Sequence, residues 1–189
     1  MNHVAHSLVA GTVLLPIARA AISSALGVVQ AADESAPWLA NPGACFVTLT
    51  QHGQLRGCIG SLHAHRALLD DLKNNAVAAA LHDPRFMPLT VAELGNTNIE
   101  VSLLTPPQPM TFKDEADALS QLRPGVDGVI FEFAGYHSTF LPQVWEQLPQ
   151  PQQFMAHLKH KAGLPADLWD DGVKLSRYTV SKWREAENT

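Results

Sequence analysis

Apolar positions recur along this chain in two periods, and the switches between them mark its elements. Leu14, Leu15, Ala18, Ala21, Ile22, Ala25 and Leu26 return at helical spacing. They predict an amphipathic helix over residues 13–26, with Pro16 in its first turn, where a missing N–H is tolerated. Residues 45–50 and 55–60 are rich in β-forming types and predict a hairpin turning at His52-Gly53. A two-residue loop sets Val47 opposite Cys58 and Leu49 opposite Arg56, with Cys45 diagonal to Cys58 on the same face. A three-residue loop would undo that pairing. Leu68, Leu69, Leu72, Ala76, Ala79 and Ala80 make the buried stripe of a helix within residues 61–81, leaving Asp70, Asp71, Lys73 and Asn74 to water. That helix ends at His82-Asp83-Pro84, because the residue before a proline resists helical geometry.

Thr90-Val91-Ala92-Glu93 matches a capping box and opens a short helix. Residues 98–104 alternate as a strand, with Ile99, Val101 and Leu103 on one face and Glu100 and Ser102 on the other. Residues 105–109 read as a rigid, proline-rich turn. A short acidic helix over 114–122 follows, then a second hairpin from 129–133 and 136–141 across Ala134-Gly135. Pro142 turns the chain into a helix bearing Val144, Trp145 and Leu148; Pro151 opens the next helix and Gly163 closes it. Residues 173–183 read as one final strand. Hairpins dominate and strict βαβ alternation is absent, so the expected class is α+β, on mixed or antiparallel sheets with flanking helices.

Composition narrows the function classes. A chain of 189 residues with 46% hydrophobic content supports one domain, or one domain with two lobes. The net charge of −5 and 13 scattered Lys and Arg residues leave no electrostatic footprint for nucleic acid. Two cysteines do not make a disulfide framework, and a reducing compartment is the simpler reading. Residues 8–27 resemble a weak signal peptide with Ala18-Arg19-Ala20 as a cleavage site. No Lys or Arg precedes them, however, and Arg19 interrupts the run, so a cytoplasmic protein is expected. No stretch reaches the ~18 apolar residues of a membrane helix.

The densest chemistry lies in Leu55-Arg56-Gly57-Cys58-Ile59-Gly60-Ser61. A guanidinium beside a thiol favours the reactive thiolate, and glycines in a strand mark a bulge or a close backbone approach. Cys58 is thus a candidate nucleophile or redox thiol activated by Arg56; the competing reading is a small buried hydrophobe. Asp83, Arg85 and Glu100 are candidates for acid, base or anion clamp beside it, against a structural ion-pair network. His63 and His65 would add imidazole to Cys58, but Cys-x4-His-x-His is not a standard zinc pattern, and solvated histidines are favoured. Residues 125–128 lack the Lys-Ser/Thr of a phosphate loop and read as a turn into a strand. Trp145, Trp169 and Trp183 read as packing residues.

The same segment resembles the signature of the AMMECR family, also called AmmeMemoRadiSam system protein A. Pro42-Gly43, Phe46-Val47-Thr48-Leu49, Asp83-Pro84-Arg85-Phe86, Pro88-Leu89-Thr90, Glu93-Leu94 and Ile99-Glu100-Val101-Ser102 accompany it in the family's order. So do Arg123-Pro124-Gly125-Val126-Asp127-Gly128, the run from Thr139 to Glu146 and Lys161-Ala162-Gly163-Leu164. The resemblance implies one domain over residues 1–189, with a larger lobe holding both termini and a smaller central lobe. It also implies the company of a Memo-like protein, related to extradiol dioxygenases, and of a radical SAM protein. It leaves reaction and cofactor open. One departure stands out: Tyr136, His137 and Ser138 occupy the place of a basic pair in the family. On this reading an inter-lobe cleft carries Cys58, Arg56 and Glu100 as reacting groups. Gly57, Gly60, Ser61, Asp83, Arg85 and His137 hold a small polar or anionic molecule. The alternative is a non-catalytic scaffold for those partner proteins.

Overall fold

Leu14, Ile17, Ala18, Ala21 and Ile22 lie on one side of the first helix, α1 (His3–Ala25), and are buried in the first of two cores. In this computed structural model, which describes residues 3–186, α1 begins well before residue 13. Pro16 therefore stands inside the helix rather than in its first turn, and the helix forgoes one bond at that point. The buried face offsets that cost, since tertiary packing supplies most helical stability in a protein.

The chain is α+β and divides into two compact units. One comprises the residues up to Leu104 with those from Ser181 on; the other is 105–180. In the first unit β1 (Ala44–Gln51) and β2 (Gln54–Gly60) form the expected hairpin. Its two loop residues, His52 and Gly53, both take positive φ, 49° and 73°, as a turn matched to strand twist requires. Helix α2 (Leu68–Leu81) starts later than residue 61, and a short α3 (Val91–Leu94) is capped by Glu93, whose carboxylate accepts from the Thr90 N–H at 2.9 Å. Strand β3 (Asn98–Leu104) pairs antiparallel with β1 along its whole length.

The second unit contains β4 (Gln108–Pro109), α4 (Glu115–Gln121), β5 (Gly128–Phe133), β6 (Tyr136–Phe140), α5 (Pro151–Lys161) and β7 (Lys174–Tyr178). Its sheet runs β4-β7-β5-β6, so the expected turn over 105–109 contains a short strand. Trp145 stacks on Phe154 with centroids 3.7 Å apart and donates its indole N–H to the Asp127 carbonyl at 2.7 Å, which satisfies the one polar group of a buried ring. The tail is not one strand. Thr179 breaks it, and β8 (Val180–Arg184) joins the first sheet, ordered β2-β1-β3-β8. Arg19 on α1 ties that end down, with Nε bonded to Glu185 at 2.6 Å and Nη2 to the Thr97 carbonyl at 2.6 Å.

Among the described residues no helix is long and apolar enough to cross a membrane.

Candidate functional site

The hairpin register differs from the simple expectation by one residue. Gln51 pairs with Gln54 and Thr50 with Leu55, but Leu49 then pairs with Gly57 and Thr48 with Cys58. Arg56 is the extra residue of a β-bulge. The slip moves Cys58 to the other face of the sheet. Cys45, Val47 and Leu49 face the helices in the first core, whereas Cys58 lies beside Thr48 on the opposite face. Both cysteines are free, and no diagonal pairing joins them.

Cys58 is half-buried, and its sulfur accepts a hydrogen bond from the Thr48 hydroxyl at 3.3 Å. Its own backbone is held by the loop that follows α2. The Cys58 N–H donates to Asp83 Oδ2 at 2.9 Å, and Arg85 Nη2 donates to the Cys58 carbonyl at 3.3 Å. Asp83 and Arg85 also bond each other, Nε to Oδ1 at 2.9 Å and Nη2 to Oδ2 at 2.7 Å. Hydrogen bonding from Arg85, with the backbone bonds from Cys58 and Arg85, holds the Asp83 carboxyl well below the usual carboxylate range despite its burial. Arg85 is held above its ordinary value, chiefly by its hydrogen bonds to Asp83. Its side chain is 54% exposed, so it presents a cation to solvent at the Cys58 backbone.

Arg56 is engaged elsewhere. Its guanidinium pairs with Glu93 at 3.1 Å. That contact, together with the bonds from Thr90 and Gln51, lowers the Glu93 carboxyl to about 2. Glu100 pairs across β1 with Thr48, which pairs with Cys58, so the three side chains form one row across the sheet. Two strand spacings separate Glu100 from Cys58 at about 10 Å. The Glu100 carboxylate accepts from Arg184, at 2.7 Å from Nη2.

The glycines of the signature have packing reasons. A Cβ on Gly57 would lie 2.1 Å from the Ala79 carbonyl oxygen of α2, and one on Gly60 would strike the Phe46 ring at 2.2 Å. Ser61 donates to Asp71 at 2.7 Å. His63 and His65 are exposed with ring centroids 6.0 Å apart, and among the described residues no group of three or more His, Cys, Asp and Glu is placed to hold a metal ion. His137 belongs to the second unit, where it pairs with Glu132 across β5 and β6 and lines a surface cleft of about 360 Å³ with Tyr136 and Lys174.

One group escaped sequence reasoning. Asp71, expected to face water, is fully buried. It accepts from the Cys45 N–H at 3.0 Å, Ser61 Oγ at 2.7 Å, Arg66 Nε at 2.9 Å and Asn75 Nδ2 at 3.0 Å. The signal was present: Asp71 and Asn75 fall at the third and seventh positions after Leu68, within the apolar stripe itself.

Comparison with known proteins gives a consistent result. Residues 15–183 match the family model described as AMMECR1. Protein MJ0810 of Methanocaldococcus jannaschii is 37% identical over 186 residues, covering 94% of this chain and 90% of that protein. A protein of Sulfolobus acidocaldarius is 37% identical over 184 residues, covering 93% of this chain and 81% of its own length. The crystal structure of the uncharacterized protein PH0010 from Pyrococcus horikoshii superposes with a TM-score of 0.80 at 32% identity, over 94% of this chain and 92% of that one.

Proposed function

The chain belongs to the AMMECR1 family, and from that premise we propose that it is an enzyme, or the enzyme-like partner in a short cytoplasmic pathway, acting on a small polar or anionic molecule with the Cys58 thiol as its reacting group. The observation that carries this reading is the half-exposed Cys58 sulfur, hydrogen-bonded by Thr48, on a residue whose backbone carbonyl is met by the largely exposed guanidinium of Arg85. A cation next to a thiol favours the thiolate and draws anions. Arg85 is paired with Asp83 as Arg56 is with Glu93, but it is the more exposed of the two guanidiniums, and the anion-drawing part falls to it. Asp83 then acts as a positioning residue for Arg85 and for the Cys58 backbone.

A second reading is an interaction module for a Memo-like or a radical SAM protein. It is favoured by the internal pairing of Asp83, Arg56 and Glu93, and by exposed Leu55, Met87 and Val91 on the hairpin, the loop after α2 and α3.

Alkylation by iodoacetamide in a Cys45→Ala background separates the two. The first reading expects Cys58 to react in the folded protein and Arg85→Ala to slow it roughly fivefold at neutral pH, the scale of about 1 kcal/mol for a part-exposed charge already paired with Asp83. A folded protein whose Cys58 resists alkylation overturns it. Partner capture that survives Cys58→Ser and is lost with Arg56→Glu would put the second reading first.

A further inference from the structure

Cys58 shares its face of the first sheet with an aromatic ring. Alternation along β1 sends Cys45, Val47 and Leu49 toward the helices, where all three are buried. Phe46, the bulkiest side chain of that strand, is turned the other way with Thr48. It belongs to neither hydrophobic core and keeps part of its surface exposed. Phe46 pairs with Gly60 as Thr48 pairs with Cys58, so ring and thiol are diagonal neighbours on one face. Such neighbours lie about 7–8 Å apart, within reach of an aromatic side chain. The ring leans onto β2, since a Cβ on Gly60 would strike its Cγ and Cδ1. Covering a strand glycine is one use of a cross-strand ring, and it occupies only one face of that ring.

We propose that Phe46 sets the substrate class of the Cys58 site: a planar, aromatic or heteroaromatic part of the small molecule rests on its ring while the reacting atom lies at the Cys58 sulfur. The place of the reacting atom rests on the reading of Cys58 given above. Offset stacking of two rings adds to the apolar area they bury, so a flat partner is favoured over a saturated one of equal size. Gly60 serves the site by having no side chain, which lets the ring settle across β2 in the row next to the sulfur.

The test uses the Cys45→Ala background and two thiol reagents, iodoacetamide and its N-phenyl derivative. Each forms one C–S bond at the thiol, releases iodide and passes the thiol proton to the buffer. With glutathione as the reference thiol, Cys58 is expected to favour the N-phenyl reagent roughly fivefold, the scale of one ring–ring contact. Phe46→Leu should bring the ratio down to that of glutathione, and Phe46→Tyr, which keeps the ring, should hold it. A folded parent with no preference, or a preference that survives Phe46→Leu, overturns the platform, while reaction of Cys58 with iodoacetamide still upholds its reading as the reacting group. If Cys58 resists both reagents, that reading falls instead, and amide NMR on the native chain decides the platform. Phenylacetate should shift the Phe46 and Gly60 signals at several-fold lower concentration than cyclohexylacetate, an anion of similar size without a flat ring. Equal or absent shifts overturn the platform. The same titration decides if Phe46→Leu does not fold.

Discussion

Cys45 and Cys58 are held by matching devices and end in different surroundings. Each donates its backbone N–H to an aspartate, Asp71 at 3.0 Å and Asp83 at 2.9 Å. Each aspartate is in turn bonded by an arginine Nε at 2.9 Å, from Arg66 and Arg85. The sulfurs differ. Cys45 lies wholly within the first core, with its Sγ 3.5 Å from the Asp71 carboxylate. Burial, reinforced by that negative charge, pushes its thiol far above the ordinary range. The Cys58 sulfur keeps partial access to solvent and meets a neutral hydroxyl instead, while Arg85 reaches only its backbone carbonyl. The lesson is that Cys, Asp and Arg together do not fix the setting of a thiol; the face of the strand on which the sulfur lies decides whether it meets solvent.

Removing the two aspartates should break the symmetry most strongly. Asp71→Ala leaves several buried donors without an acceptor and should cost about 3 kcal/mol. Asp83 is buried too, but its donors, the Cys58 N–H and Arg85, are part-exposed, so Asp83→Ala should cost about 1 kcal/mol. Urea denaturation of both variants measures the difference, and equal costs would mean that burial of the donors does not separate the two devices. Gly57→Ala comes next. Its Cβ would meet the Ala79 carbonyl, a backbone atom that cannot rotate away, so a loss of about 2 kcal/mol is expected in the same assay. The smallest effect belongs to Thr48→Val. It removes the hydroxyl on the Cys58 sulfur and should slow Cys58 alkylation roughly threefold while leaving Cys45 protected.

Much of this architecture was legible in the order of residues. The hairpin at His52-Gly53, the 98–104 strand, the Thr90–Glu93 box and the stop at Pro84 rest on local rules, and each stands where those rules put it. Register was not legible, because the bulge at Arg56 adds one residue to the alternation, and Gly57, which signals a bulge or a close approach, does not say which or where. The burial of Asp71 is not legible because a charge in a sequence marks a surface position by default. Its place on the α2 stripe outweighed its type once Cys45, Ser61, Arg66 and Asn75 supplied donors. The tail was read as one strand because nothing local at Thr179 signals that β7 and β8 serve different sheets.

That last division sets an order of assembly during synthesis. Residues 105–180 are continuous and emerge from the ribosome complete, whereas the first unit waits for its final strand. At roughly 5–20 residues per second the wait lasts several seconds. Throughout it, the edge of β3 that β8 will cover has no partner, and Arg19 has not yet met Glu185. The N-terminal half of this protein is thus made first and finished last.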